Sequence, residues 1–209
     1  MLLKSRVVQS WARRLHIYIS MALLFVVLFF SVTGITLNRP ELFESGQPKI
    51  QHLMLTLPSH VFMIQDGRLT ADEAAFEMFL FDEANLSGVP SGLDIYAEIE
   101  EGELLIGEVS MDFKGPGYNA SVFVDVTSET VEVETTHYGI IALLNDLHKG
   151  RNSGDVWKWF LDVTALLMIF FVLTGVCLLL PKKKTLNTSS QWTVIGSVIS
   201  LTIYFVAVP

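Results

Sequence analysis

Charge vanishes from the chain twice for long stretches. No charged residue falls between Ile17 and Leu37, and none between Val163 and Leu180. Each run meets the roughly 20 residues needed to cross about 30 Å of hydrocarbon as a helix. A third apolar run, Trp192 to Val208, is shorter and sits near the lower limit. The pattern predicts three transmembrane helices. Basic residues precede the first run as they would in a secretory signal. However, it exceeds a signal h-region and no small-x-small cleavage site follows before Leu37-Asn38-Arg39-Pro40, so it reads as a retained anchor.

Between the first two runs the period changes. Residues 40–59 hold Gly46, Pro48 and Pro58 and read as an irregular linker. In "LTADEAAFEMFLFDEANLSG", Thr70 and Glu73 form a capping box, and Phe76, Phe79 and Leu80 recur at helical spacing, which predicts a helix over 71–84. Four alternating stretches follow: Ile95/Ala97/Ile99, Leu105/Gly107/Val109/Met111/Phe113, Ala120/Val122/Val124/Val126 and Val131/Val133. Alternation marks half-buried strands. Turns are expected at Glu101-Gly102, Gly115-Pro116-Gly117 and Thr127-Ser128. From His137 to His148 the spacing is helical again, with Ile140, Ile141, Leu144 and Leu147 on one stripe, as in an amphipathic helix on a membrane surface. Gly150 and Gly154 end it, and Trp157 and Trp159 follow as interfacial aromatics.

The expected fold is therefore a membrane α-helical protein with an extracytoplasmic α+β domain, its small antiparallel sheet covered by one helix. The divisions are 1–38 for the N-terminus and first span, 39–136 for the domain and 137–156 for a juxtamembrane helix and hinge. The second span takes 157–181, a basic loop 182–191 and the third span 192–209.

Composition agrees: 51% of the 209 residues are hydrophobic, and the mean hydropathy of +0.46 is too high for an ordinary soluble domain. Lys4, Arg6, Arg13 and Arg14 precede the first span and Lys182, Lys183 and Lys184 follow the second, which places these ends in the cytoplasm. Residues 40–156 carry 21 of the 22 acidic residues against five Lys and Arg, a net of −16. Such a domain disfavours nucleic acid and attracts cationic or metal-bearing partners. The single cysteine, Cys177, lies within the second span, so there is no disulfide framework.

Three polar residues sit where the spans begin or end: His16 beside Arg13-Arg14, His148 at the opposite mouth, and Asp162 one turn past Trp159. Each histidine reads either as an interfacial polar residue or as an axial ligand to haem iron. Asp162 reads as a structural partner of Lys158 four residues earlier. The two confident spans contain similar words, "SVTGITL" with Thr33-Gly34 and "VLTGVCL" with Thr174-Gly175. Because the spans run antiparallel, Gly34 falls at the depth of His148 and Gly175 at the depth of His16, where a backbone can approach a helix or a flat macrocycle closely. His16 and Gly34 are 18 residues apart, roughly 27 Å along a helix, so His16 and His148 cannot share one iron. A bis-histidine site then needs His52 or His60, a second copy of the chain, or a partner subunit.

The segments "WARRLHIYISMALLFVVLFFSVTGITLNRPELF" and "LNDLHKGRNSGDVWKWFLDVTALLMIFFVLTGVCLLLPKKK" resemble the PepSY-associated transmembrane family. That family's pattern is Arg-x-Leu-His at the first span, Thr-Gly-x-x-Leu-Asn at its exit, then Leu-His-x-Gly-Arg and Leu-Thr-Gly. "DGRLTADEA" with "VFVDVTSETVEVE" resembles the PepSY fold itself. The resemblance covers most of residues 11–184. It implies an inner-membrane protein of a Gram-negative bacterium. Larger, four-span relatives are linked to siderophore-iron reduction or transmembrane electron transfer through b-type haem, and compact ones are similar to components of flavin-based extracytoplasmic electron transfer. It also implies His16 and His148 as haem ligands, with Gly34 and Gly175 beside the cofactor. A fourth span and a histidine in the third are missing here, which makes a homo-oligomer or a partner membrane subunit the expected source of further ligands. Two readings stand. One is a membrane oxidoreductase subunit carrying electrons from quinol or a cytoplasmic reductant to a flavoprotein or ferric chelate. The other is an anchored PepSY module that binds a peptide or protein partner, restraining a protease or organising a complex.

Overall fold

The computed structural model describes residues 2–43 and 46–208. Three helices are long and apolar enough to cross a membrane: α1 (Arg6–Asn38), α5 (Gly154–Leu179) and α6 (Lys183–Ala207). The chain divides into two compact units, residues 1–28 with 162–209, and residues 29–161.

In the first unit, α1 turns Ala12 and Leu23 inward; both are buried. Gln9, on the same stripe, donates from Nε2 to the Cys177 carbonyl of α5 at 2.9 Å. The third span departs from expectation. Residues 182–191, expected as a basic loop, are helical from Lys183 onward. No proline or glycine lies between Lys183 and Ile195 to stop the helix, and Lys, Leu and Gln favour it. No residue of α6 is buried, so whatever covers its apolar surface is lipid or another chain.

The second unit holds the sheet. Strands β5 (Asp94–Glu100), β6 (Glu103–Gly115), β7 (Tyr118–Asp125) and β8 (Thr130–His137) form the expected meander. Two strands were not expected in it: β4 (Val89–Pro90), paired with β6, and β1 (Lys49–Thr56), paired antiparallel with β8 at the far edge. β1 runs through the segment read as a linker, of which residues 44 and 45 lie outside the described residues, while Pro40–Phe43 form a short α2. Its apolar residues Leu53, Met54 and Leu55 are consecutive, which hides the period of two.

The core lies on one face, where Val109, Met111 and Phe113 of β6, Val122 and Val124 of β7, and Val131 and Val133 of β8 are buried. Phe76 and Leu80 of α3 (Glu73–Ala84) close it and are wholly covered. A buried side chain of this size contributes about 1.5–3 kcal/mol. The covering layer also holds a hairpin, β2 (Phe62–Gln65) and β3 (Arg68–Ala71), turned by Asp66 and Gly67, both at positive φ. Asp-Gly is a strong hairpin signal, and the capping-box reading obscured it: Thr70 lies in β3 and donates to the Met63 carbonyl. The actual N-cap is Asp72, which accepts from the Ala75 N–H at 3.0 Å. A register shift opposite Glu98/Ile99 turns Leu105 outward, and Leu104 packs on the core in its place.

After β8, α4 (Ile140–Lys149) starts three residues later than expected, because His137 ends the strand. It rests on the β6–β7 turn. Gly117 (φ +63°) donates its N–H to Asp146 Oδ2 at 2.9 Å, and a Cβ there would stand 2.7 Å from the Leu143 nitrogen. Only glycine fits so close an approach at that φ.

Replacing Asp72 with Ala removes a cap and should lower the unfolding stability of the full-length protein in detergent by about 1 kcal/mol, with Asn restoring most of it. Denaturant titration followed by circular dichroism checks this; an unchanged midpoint for Asp72→Ala contradicts the capping assignment.

Candidate functional site

Each histidine singled out in the sequence sits in a small polar cluster. In the first unit, α1 presents His16 to α5, with Nδ1 3.1 Å from the Phe171 carbonyl and 3.1 Å from Thr174 Oγ1. The Thr174 hydroxyl donates back to its own helix, to the carbonyls of Phe170 and Phe171. The imidazole stacks on the Phe171 ring, centroids 4.4 Å apart and planes within 12°. Gly175 follows directly, and a Cβ on it would lie 3.3 Å from His16 Cε1.

In the second unit, α4 carries His148 to the last turns of α1. Nδ1 lies 2.6 Å from Thr33 Oγ1, and the Thr33 hydroxyl donates to the Phe29 carbonyl at 2.7 Å. Phe30 meets the imidazole edge-on at 4.9 Å, and a Cβ on Gly34 would lie 3.7 Å from His148 Cε1. One turn along each helix, the Thr36 hydroxyl donates to Asn145 Oδ1 at 2.6 Å, both side chains buried. Gly150 at positive φ caps α4, and Trp157 Nε1 donates to the Leu147 carbonyl at 2.8 Å, so the last turn of α4, which bears His148, is held in place.

The model of the family described as "Putative PepSY_TM-like" matches residues 10–209. The chain belongs to that family. No curated protein and no solved structure matches it.

In this PepSY_TM-like chain the two clusters repeat one design. Leu15-His16 and Leu147-His148 each meet a six-residue word on a facing helix. Phe170-Phe171-x-x-Thr174-Gly175 serves His16, and Phe29-Phe30-x-x-Thr33-Gly34 serves His148. The sequence reading saw Thr-Gly in both spans and missed the phenylalanine pair. A helix places residues three and four before the threonine beneath it, so the ring and the carbonyls arrive with the hydroxyl.

The hydrogen bonds orient each ring and favour one tautomer. A carbonyl oxygen only accepts, so His16 Nδ1 must carry the proton it shares with Phe171. When the Thr33 hydroxyl gives its single hydrogen to the Phe29 carbonyl, its oxygen accepts from His148 Nδ1–H. With the proton on Nδ1, Nε2 keeps its lone pair in both rings. That is the state of an imidazole ready to bind a metal, with the opposite nitrogen oriented by a carbonyl or hydroxyl. Burial, with the Lys149 charge adding to it, holds the His148 imidazole below its ordinary value, which favours the neutral form.

Other candidates lie apart. Lys158 pairs with Asp155 at 3.0 Å, so the expected partner Asp162 is exposed without an ion pair among the described residues; Asp155 sits on the nearer turn and starts the helix, where its charge is favourable. His52 lies on β1, 3.6 Å from Glu134, and His137 packs against Tyr118. Among the described residues no group of three His, Cys, Asp or Glu side chains stands ready for a metal ion. Each cluster thus offers one imidazole and does not form a closed metal site.

Nitrogen-15 spectra of labelled histidine should show Nδ1 protonated and Nε2 bare for His16 and His148 at pH 8. Thr33→Val should abolish that pattern for His148 and destabilise the protein by about 1–3 kcal/mol by orphaning the Nδ1–H. Acidification gives a second check. His148 is held below its ordinary pKa in the folded state, so the unfolded chain binds the extra proton first and stability falls as the pH drops below about 6.5. His148→Gln should show a smaller loss of unfolding midpoint between pH 7 and 5 than the parent protein; an equal loss contradicts the assignment.

Proposed function

We propose that this PepSY_TM-like protein is an electron-carrying subunit of a bacterial inner membrane, with His16 and His148 each donating Nε2 to the iron of a b-type haem. The observation that supports the reading is the matched geometry: each Nδ1 lies within hydrogen-bond distance of a threonine hydroxyl that also reaches a carbonyl of its own helix, which favours the tautomer with Nε2 free. A haem so held supplies one-electron iron chemistry whose potential depends on the axial ligands and their hydrogen bonds.

The chain's own residues set that environment. The Phe171 carbonyl and Thr33 Oγ1 orient the rings and make Nε2 more basic. Phe171 and Phe30 pack against the imidazoles, and Gly175 and Gly34 leave the ring edges uncrowded. Each cluster gives one imidazole, so any further ligand to a bound haem would come from another copy or a partner membrane subunit. On this reading the segment between the first two spans faces the periplasm and hands electrons to a flavoprotein or ferric chelate.

Expression in a haem-competent host tests this. Purified protein should show a Soret band and a sharp reduced α-band, diminished in His16→Ala and again in His148→Ala. Thr33→Val should keep haem but shift one midpoint potential, as loss of an outer hydrogen bond does. A colourless protein, or haem content indifferent to both histidines, overturns the proposal in favour of an anchored module that binds a peptide or protein partner.

A further inference from the structure

The sheet ends in two edges that the sequence treats oppositely. On one side β5 carries Asp94, Glu98 and Glu100 and is broken by the register shift at Glu98/Ile99. Charges and bulges of this kind keep another strand from adding on. On the other side β1 pairs, among the described residues, with β8 alone, over eight residues in unbroken register. It contains no proline or carboxylate, and no Asp or Glu occurs from Gly46 to Gln65. Ile50, Leu53 and Met54 are 54%, 42% and 68% exposed.

The polarity of that edge follows from one bond. Leu57 N–H donates to the Glu129 carbonyl at 2.9 Å, continuing the β1–β8 register in which Leu55 faces Val131. Antiparallel pairs alternate between bonded and non-bonded positions. Odd-numbered residues of β1 therefore bond β8, and Ile50, His52, Met54 and Thr56 direct their N–H and C=O groups away from the sheet. On the helix-side face beside this edge is an open recess of about 430 Å³ lined by Gln51, Leu53, Ala84 and Val133 among others.

We infer that β1 is a dimerisation strand and that its occupant is the β1 of a second copy, antiparallel about a two-fold axis through Leu53. Centred there, Ile50 faces Thr56 of the second copy and His52 faces Met54, so all four outward-facing residues of each strand find partners. The two Leu53 side chains meet in a non-bonded pair, the closer kind, over the recess.

Charge leaves this edge open to a second copy. Residues 40–156 carry a net −16, and two such segments repel wherever their carboxylates meet; β1 is the edge without any. Confinement by membrane spans, three in this chain, holds copies in one plane and in one orientation, which raises their effective concentration. The inference does not depend on haem.

Disulfide trapping in native membranes tests it, with Cys177→Ala removing the single native cysteine. A non-bonded antiparallel pair places its Cα atoms about 4.5 Å apart, within disulfide range. Leu53→Cys should therefore cross-link on mild oxidation to a species of twice 23.4 kDa, roughly tenfold faster than Leu55→Cys, whose copies lie beyond that range. Co-expressing Gln51→Cys with Leu55→Cys should restore cross-linking, because these positions face each other about the axis. Adding Met54→Pro removes one outward N–H and leaves the β8 ladder intact, so it should suppress the Leu53→Cys cross-link while circular dichroism stays unchanged. Absence of the Leu53→Cys dimer in folded protein, or equal cross-linking at Leu53 and Leu55, overturns the inference.

Discussion

A threonine hydroxyl has one hydrogen, and Thr33 and Thr174 each have a carbonyl of their own helix within reach to take it. Everything distinctive about the two histidines descends from that. With its hydrogen spent, the oxygen can only accept, so an imidazole at hydrogen-bond distance must present N–H. Where no water competes, an unpaired donor costs several kcal/mol, which makes the arrangement hard to undo. A serine or threonine bonded to a carbonyl three or four residues back is ordinary in membrane helices. Here it also favours an unprotonated Nε2, through hydrogen bonds to Nδ1.

Glycine after the threonine completes the device. A helix side chain at either Gly34 or Gly175 would crowd the imidazole edge, 3.7 and 3.3 Å away from a Cβ. Phenylalanine one turn earlier supplies an apolar wall. The word Phe-Phe-x-x-Thr-Gly is thus a half-site, and Leu-His is its complement. Each strongly apolar span contains or adjoins one of each, so two spans suffice for two clusters. The third span, with no histidine and no buried residue, has no part in either cluster.

Much of this was legible in the sequence for a physical reason. The spans stood out because lipid demands some twenty uncharged residues in a row. The meander from β5 to β8 stood out because one face packs and the other does not. The helix over Glu73–Ala84 was found with the wrong cap, since Thr70 and Asp72 both precede it and only the fold shows which hydroxyl or carboxylate is turned back. β1 was missed because an edge strand has one neighbour, so its side chains are barely sorted into inside and outside: seven of its eight residues are exposed. The half-sites were partly legible, as paired Leu-His and Thr-Gly words. Tautomer was not, because it depends on which oxygen already spends its hydrogen, and that is a property of atoms in contact.

The failure to read β1 and its proposed role share a cause. A strand that shows no clear alternation is one whose burial is unfinished within the chain. The sheet has already shown how it blunts an edge, with carboxylates and a shifted register on β5. Leaving β1 flat, apolar and free of acid in the midst of an acidic segment is the opposite treatment of the same hazard. Carboxylates are spread through the rest of residues 40–156 and are missing from β1. Twenty consecutive residues without one, containing the longest unpaired edge, point to a constraint that acts on the edge itself, and pairing with an identical edge is the arrangement that removes every exposed donor and acceptor at once.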